Sequence, residues 1–366
     1  MRILMAGGGT GGHVMPLLAV AEELRRRGHE PHFVGTRKGF EAKLVPARGF
    51  PIDFIDIGGF QGKGLTQRGR LLWQLPQSIL SSLSLLRRFG SKACFSLGGY
   101  VAAPPVLAAL MRKIPLVVME PNAMPGMVHR WVGRFATRAV LGFAAAAKYF
   151  PAGSTEVAGL PVREEFFQVS ELARGPVFRI LVTGGSQGSQ TLNRAVRELW
   201  PLLATASFPV HVVHQCGNRA FAEMQAAWQS SGLASQLNYE VSPFLDDMPR
   251  AFAEADLIIC RAGASTVGEL MAAGRPSILV PFPFAADDHQ ARNAEAMVAA
   301  GASLMLRDQD CNGPRLFRFL EDLAPQNGAI ERMAACARSL RHSGAASRAA
   351  EIVETVAAEA ACNGRE

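Results

Sequence analysis

The chain has 366 residues, 49% apolar and 19% charged, which suits two ordinary domains with their own cores and excludes a disordered protein. The formal net charge of +7 favours an anionic partner: nucleic acid, a phosphorylated substrate or an acidic membrane surface. Six scattered cysteines without a CxxC pair argue against a disulfide framework or zinc site, and without a run of 18 apolar residues no membrane span is expected.

Arg2–Ala6 (RILMA) reads as a buried strand, followed by GGGTGGHVMP at residues 7–16 and a helix over Leu17–Arg26. Further strands are expected at His32–Val34, Cys94–Leu97 and Leu116–Met119. Between them, Leu72, Leu75, Ile79, Leu83 and Leu86 share one face of a helix, with Trp73 and Leu80 on its shoulder and Arg87, Arg88 and Lys92 beside it. The stripe reads as core packing, whereas Trp73, Leu80 and the basic rim of Arg87 and Arg88 suit an anionic lipid surface. The rhythm restarts at Arg179–Ser189 (RILVTGGSQGS), which repeats Arg, Ile, Leu and three glycines of the first opening at equal offsets. Strands follow at Val210–His214, Leu257–Cys260 and Ser277–Val280. The fold class is therefore α/β, two Rossmann-like domains with parallel sheets, expected to face each other across a cleft. The domains are set at residues 1–160 and 161–337. The tail from Ile330 reads as one helical stretch, with residues 338–366 returning to the first domain.

Gly7, Gly9 and Gly12 fit the G-x-G-x-x-G pattern, but a dinucleotide site also needs an acid at the end of the second strand. Gly35, Thr36, Arg37 and Lys38 stand there, and Glu41 comes too late. Arg37 and Lys38 would allow an NADP reading, but that leaves the second glycine loop and His13 unexplained, and no cofactor is expected. What survives is the physics of both loops: a glycine turn between strand and helix exposes N–H groups at the positive end of a helix dipole, which suits phosphate. RAGASTVGE (Arg261–Glu269) follows another strand, and a carboxylate at Glu269 can accept two hydrogen bonds from a ribose diol. In PFPFAADDHQARNA (Pro281–Ala294), Asp287 and Asp288 read as helix capping rather than as a metal site, and no metal is expected.

GGGTGGHVMP, GGY (Gly98–Tyr100), EPNAMPG (Glu120–Gly126), GLPVR (Gly159–Arg163), GGSQGS (Gly184–Ser189), RAGASTVGE and DDHQARNA occur in one order along the whole chain. In this the chain resembles the MurG family of glycosyltransferases. The resemblance implies a GT-B fold and transfer of N-acetylglucosamine from UDP-N-acetylglucosamine to the C4 hydroxyl of the muramoyl sugar of undecaprenyl-diphospho-MurNAc-pentapeptide, with inversion. It also implies a peripheral place on the cytoplasmic face of the bacterial inner membrane, with other cell-wall synthesis proteins as partners.

Residue by residue, the resemblance puts Ser186 and Arg163 on the donor diphosphate and the backbone of Leu245 on the uracil. Ala264, Ser265, Thr266, Val267, Gly268 and Glu269 would line the nucleotide, Glu269 on the ribose, and Gln290 would bind the sugar hydroxyls. Thr10, Gly11, Gly12 and Asn122 would complete the donor site, and Gly98, Gly99 and Tyr100 would face the acceptor diphosphate. Four positions depart from the family's wording. Leu160 replaces an amide in GLPVR, Pro121 and Met124 alter the EPNAMPG stretch, and His289 stands where some members carry glutamine. His13, directly after the first loop, is the candidate general base, because an imidazole titrates near neutrality. A UDP-sugar 2-epimerase or a transferase to a soluble acceptor is the alternative of the same shape. Nucleic acid is not expected as a partner, since no recognition motif accompanies the positive charge.

Overall fold

The computed structural model describes residues 1–9, 11–58, 65–325 and 328–363, with the side chains of residues 65–73 and 363 left aside. Two compact units emerge, residues 1–161 with 342–366, and residues 162–341.

The first unit is built on seven strands: β1 (Arg2–Gly7), β2 (Glu30–Gly35), β3 (Ile52–Phe54), β4 (Ala93–Gly98), β5 (Leu116–Glu120), β6 (Arg138–Leu141) and β7 (Thr155–Val157). Their order in the sheet is β3-β2-β1-β4-β5-β6-β7, and every pairing is parallel. Both faces of such a sheet are covered by helices, so its central strands are apolar throughout. Strand β1 shows this by alternation: Ile3 and Met5 enter one core with Leu17 and Leu24, while Leu4 and Ala6 enter the other with Leu85 and Val106. Each such fully buried Leu or Ile contributes about 1.5–3 kcal/mol relative to exposure.

The helix Leu65–Phe89 lies over the second of these cores, with Leu85 and Leu86 buried and Leu75, Ile79 and Leu83 packed against it. Its apolar stripe therefore packs on the sheet. Leu72 and Trp73 lie outside the residues whose side chains are described.

The tail is two helices, Ala329–Ser339 and Ala345–Asn363, and not the single stretch its composition suggested. Gly344, at φ +72°, takes a conformation that side-chain-bearing residues avoid, and it closes the turn between them. Only the second helix belongs to the first unit. There Ala349, Ala350, Val353 and Val356 pack on the helix Gly11–Arg26 side of the sheet. Arg27 reinforces the contact, reaching Glu354 at 2.9 Å and the Ser347 hydroxyl at 2.8 Å, and His29 lies 2.6 Å from the same Glu354.

The second unit repeats the plan with β8 (Phe178–Thr183), β9 (Val210–Gln215), β10 (Asn238–Ser242), β11 (Leu257–Cys260), β12 (Ser277–Leu279) and β13 (Ser303–Met305). The order is β10-β9-β8-β11-β12-β13, again all parallel. In both sheets the first strand of the unit is central and is flanked on either side by later ones. That places each glycine loop at the carboxyl end of the sheet, where strand order reverses and ligands bind.

Candidate functional site

In the first unit, β1 runs into Gly8 and Gly9, and the helix Gly11–Arg26 opens immediately afterwards. Thr10 lies outside the described residues. Gly9 adopts φ +87°, and a methyl group there would sit 2.8 Å from the Tyr100 ring. The turn Gly98–Gly99 after β4 also takes positive φ, 82° and 78°, and Gly99 packs against the carbonyl of Gly8. His13, half-buried in the first turn of its helix, has its Nδ1 3.7 Å from the place a Gly99 Cβ would take. The structure thus gathers Gly12, His13, Gly99 and Tyr100 at one end of one sheet, with Gly98 buried beneath them.

Behind that turn lies a buried polar network. The His129 ring bridges the Ser96 hydroxyl at 3.2 Å and the Glu120 carboxylate at 2.8 Å, and all three residues are at most 2% exposed. Ser96 accepts the Gly98 N–H, while Glu120 accepts both the N–H and the side-chain amide of Asn122. The set has the composition of a nucleophilic triad, but its hydroxyl is sealed from solvent and committed to the backbone. It works as a scaffold holding Asn122 and the Gly98 turn in place. In the sequence Glu120 belongs to the EPNAMPG stretch, while Ser96 and His129 stand in no motif. Their partners lie up to 33 residues apart, and no local pattern marks them.

In the second unit, β8 ends in the loop Gly184–Ser189 before the helix Gln190–Ala204. A side chain at Gly188, whose φ is +74°, would strike the carbonyl of Cys216. That carbonyl is held by the Asn193 amide at 3.0 Å, and Asn193 in turn lies 3.1 Å from His214. Burial pushes the His214 imidazole down to about 3, so the ring stays neutral within the core. Ser189 caps the helix. It also receives the guanidinium of Arg261 at 2.7 Å, while the other arm of Arg261 engages Asp308 and the carbonyls of Val280 and Pro281.

A cavity of about 500 Å³ opens between this loop, the start of the helix Ala264–Ala273 and the Phe282–Phe284 turn. Gly263 precedes that helix in an extended conformation with no side-chain cap, so its first N–H groups point outward with the positive end of the dipole. Thr266 and Gln290 line the cavity, and Gln290 accepts the N–H of Phe282 at 2.9 Å. Ser265 is exposed and Ala264 half-buried, whereas Val267 and Gly268 turn inward, Val267 with no exposure at all. Helical periodicity thus removes those two from the surface that a ligand could touch. Ser186 is exposed in the glycine loop. Leu245 is not in this cavity but in a separate hollow of about 460 Å³, with Arg179, His211 and Arg250.

Glu269 is half-buried, and among the described residues no hydrogen bond is directed to it. Burial raises its carboxyl to about 7, against the lowering influence of Arg163. Only when ionised can this group accept a hydroxyl donor at each oxygen. Arg163 itself is exposed, with its guanidinium 5.0 Å from the centre of the Phe166 ring. Asp287 and Asp288 precede the following helix, and the Asp288 side chain makes no cap hydrogen bond there. Both take left-handed backbone conformations, and Asp288 pairs with Arg307 at 3.3 Å. No cluster of three metal-binding side chains occurs among the described residues.

Large apolar side chains are exposed on three successively packed helices of the first unit: Leu80 at 65%, Met111 at 66% and Trp131 at 69%. Arg87 is exposed nearby in sequence, and Arg88 is held by the Asp53 carboxylate at 3.1 Å. Among the described residues no helix is long and apolar enough to cross a membrane.

Comparison with known proteins covers both units. The N-terminal domain model of glycosyltransferase family 28 matches residues 3–141, and its C-terminal domain model matches residues 179–356. A UDP-N-acetylglucosamine–N-acetylmuramyl-(pentapeptide) pyrophosphoryl-undecaprenol N-acetylglucosamine transferase of Solibacter usitatus is 53% identical over 97% of this chain and 96% of its own. The protein of the same name from Nitrosococcus oceani is 43% identical over 96% and 97%. The crystal structure of Acinetobacter baumannii MurG superposes with a TM-score of 0.83 at 31% identity, covering 97% of this chain and 99% of that one.

Proposed function

The chain belongs to glycosyltransferase family 28, and from that premise we propose that it moves N-acetylglucosamine from UDP-N-acetylglucosamine to the C4 hydroxyl of a muramoyl-pentapeptide carried on undecaprenyl diphosphate. Its relatives are named for this transfer. The observation that carries the reading is the second-unit cavity. It joins a glycine loop and an uncapped helix start, and the same helix carries Glu269, to which no hydrogen bond is directed among the described residues. These answer the diphosphate and the ribose of a nucleotide in turn.

The donor diphosphate rests on the Ser186 loop and the N–H groups at Ala264–Thr266, with Arg163 supplying positive charge. Glu269 accepts the ribose hydroxyls, and Gln290 orients the sugar. The acceptor belongs to the first unit, where its diphosphate meets Gly98, Gly99 and Tyr100. Thr10, Gly11, Gly12 and Asn122 contact the donor from the first unit. In the reaction the C4 oxygen forms a bond to the anomeric carbon as the bond from that carbon to UDP breaks, and the hydroxyl proton passes to His13. The charge that develops on UDP is met by the helix N-terminus and Arg163. Because the single displacement enters opposite the leaving group, configuration inverts.

Leu80, Trp73, Arg87 and Arg88 meet the anionic cytoplasmic surface of the inner membrane, where the lipid acceptor is found. Radiolabelled transfer from UDP-N-acetylglucosamine to a lipid-linked muramoyl pentapeptide tests the whole reading. Label in the lipid fraction, and none from UDP-N-acetylgalactosamine, is the expected result. Conversion or hydrolysis of the donor in the absence of lipid acceptor would favour the epimerase instead.

A further inference from the structure

Glu41 stands in a short helix, Glu41–Ala47, and is 1% exposed although its side chain is a carboxylate. A buried charge is costly unless hydrogen bonds satisfy it. Here they come from the protein's own loops: the N–H and hydroxyl of Thr36 each reach one carboxylate oxygen at 2.9 Å, and the N–H of Gly9 reaches the other at 2.8 Å. Three glycines make room for it. A methyl group at Gly8 would lie 2.6 Å from the Glu41 side chain, one at Gly35 2.5 Å, and one at Gly39 closer still. Gly8 after β1, Gly35 at the end of β2 and Gly39 before the short helix thus surround a single carboxylate.

The consequence concerns the first glycine loop. Its Gly9 N–H points back into the protein to Glu41 and is not offered to a ligand. With that bond made, Gly9 is fixed at φ +87° against Tyr100, and the helix that carries His13 starts from a set position beside Gly99.

We propose that Glu41 is a positioning residue for transfer. It braces the first glycine loop from behind and so sets His13 and Tyr100 for the acceptor, without itself touching either substrate. This rests on the transferase reading for its kinetic consequence, and on the hydrogen bonds alone for its structural one.

The test compares Glu41→Gln with Thr36→Val in the full chain. Glutamine keeps the volume and can still accept from Thr36, but its amide group opposes the Gly9 N–H. Valine removes one hydrogen bond from the same carboxylate and leaves Gly9 bonded. Glu41→Gln is expected to lower kcat for lipid-linked acceptor by about 100-fold, the effect of a small misplacement of a reacting group. UDP affinity, whose diphosphate and ribose contacts are assigned to the second unit, should stay within about twofold. Thr36→Val should keep kcat within about threefold even where its melting temperature falls as far. Hydrogen exchange at Gly9, followed without substrate, should be slow in the unaltered chain and much faster in Glu41→Gln. Equal loss of kcat in both variants, in step with their melting temperatures, would reduce Glu41 to a purely structural role. Fast exchange at Gly9 in the unaltered chain would overturn the brace outright. If the unaltered chain transfers no sugar to lipid, the transferase reading fails, while the exchange result still decides the brace. Should Glu41→Gln not fold, that exchange rate and the Thr36→Val kinetics still decide.

Discussion

The two glycine loops begin from nearly the same sequence, RILMAGGGTGG and RILVTGGSQGS, and are braced by opposite charges. Behind the first lies the buried carboxylate of Glu41, bonded to Gly9; behind the second lies the guanidinium of Arg261, bonded to Ser189. The Glu41 carboxylate takes up the Gly9 N–H, so that one donor of the first loop is not left for a ligand. A guanidinium, even one paired with Asp308, leaves its loop more welcoming to a diphosphate. A repeated strand–loop–helix therefore does not imply a repeated task, because the side chains that reach the loop from elsewhere decide what it holds.

Three expectations would break or sharpen that contrast. The largest concerns the first loop. His13→Ala should lower turnover by about 10²–10⁴-fold, the usual range for a general base, with UDP affinity nearly unchanged. Steady-state transfer and calorimetry check it, and near-normal turnover would remove His13 from the chemistry.

The next concerns the second unit. The Glu269 carboxyl is raised from 4.5 to about 7, so in the free protein it is largely protonated below neutrality. A ribose diol donates to the ionised form, and UDP affinity should therefore rise by about tenfold per pH unit between pH 5 and 7 and level off above. The same raised value makes the neutral carboxyl a stabilising feature at low pH, one that fades as pH climbs through 7 in the absence of ligand. Glu269→Gln should bind UDP weakly with no such slope, and calorimetry across this range reads both effects.

The smallest concerns the lipid side. Leu80→Glu should weaken binding to anionic vesicles by several-fold and leave UDP affinity unchanged. Co-sedimentation that does not differ from the unaltered chain would take Leu80 out of the membrane surface.

The sequence made the two-unit plan legible because the strongest signals in it are local: apolar strands, glycine turns at their ends and helical stripes after them. The central strands β1, β4, β5, β8, β9, β11 and β12 are all visible in this way. The strands β3, β7 and β13 are three residues long, and β3 and β7 are half-buried at the sheet edges, so alternation has no length over which to show. The break at Gly344 was hidden because the helices on either side share an Ala- and Arg-rich composition. At the site, Thr266 and Gln290 line the cavity. The carboxylate of Glu41, the Ser96–His129–Glu120 network and the Arg261–Asp308 pair had no such signal. They act through partners 32, 33 and 47 residues away, a separation that only the fold closes.

The division of labour between the loops is tested most directly by titrating UDP, at pH 7.5, onto His13→Ala and Glu269→Gln side by side. UDP binding close to that of the unaltered chain in the first variant, and markedly weakened in the second, is the predicted result. Loss of UDP binding in His13→Ala with retention in Glu269→Gln would place the nucleotide in the first unit and contradict the account.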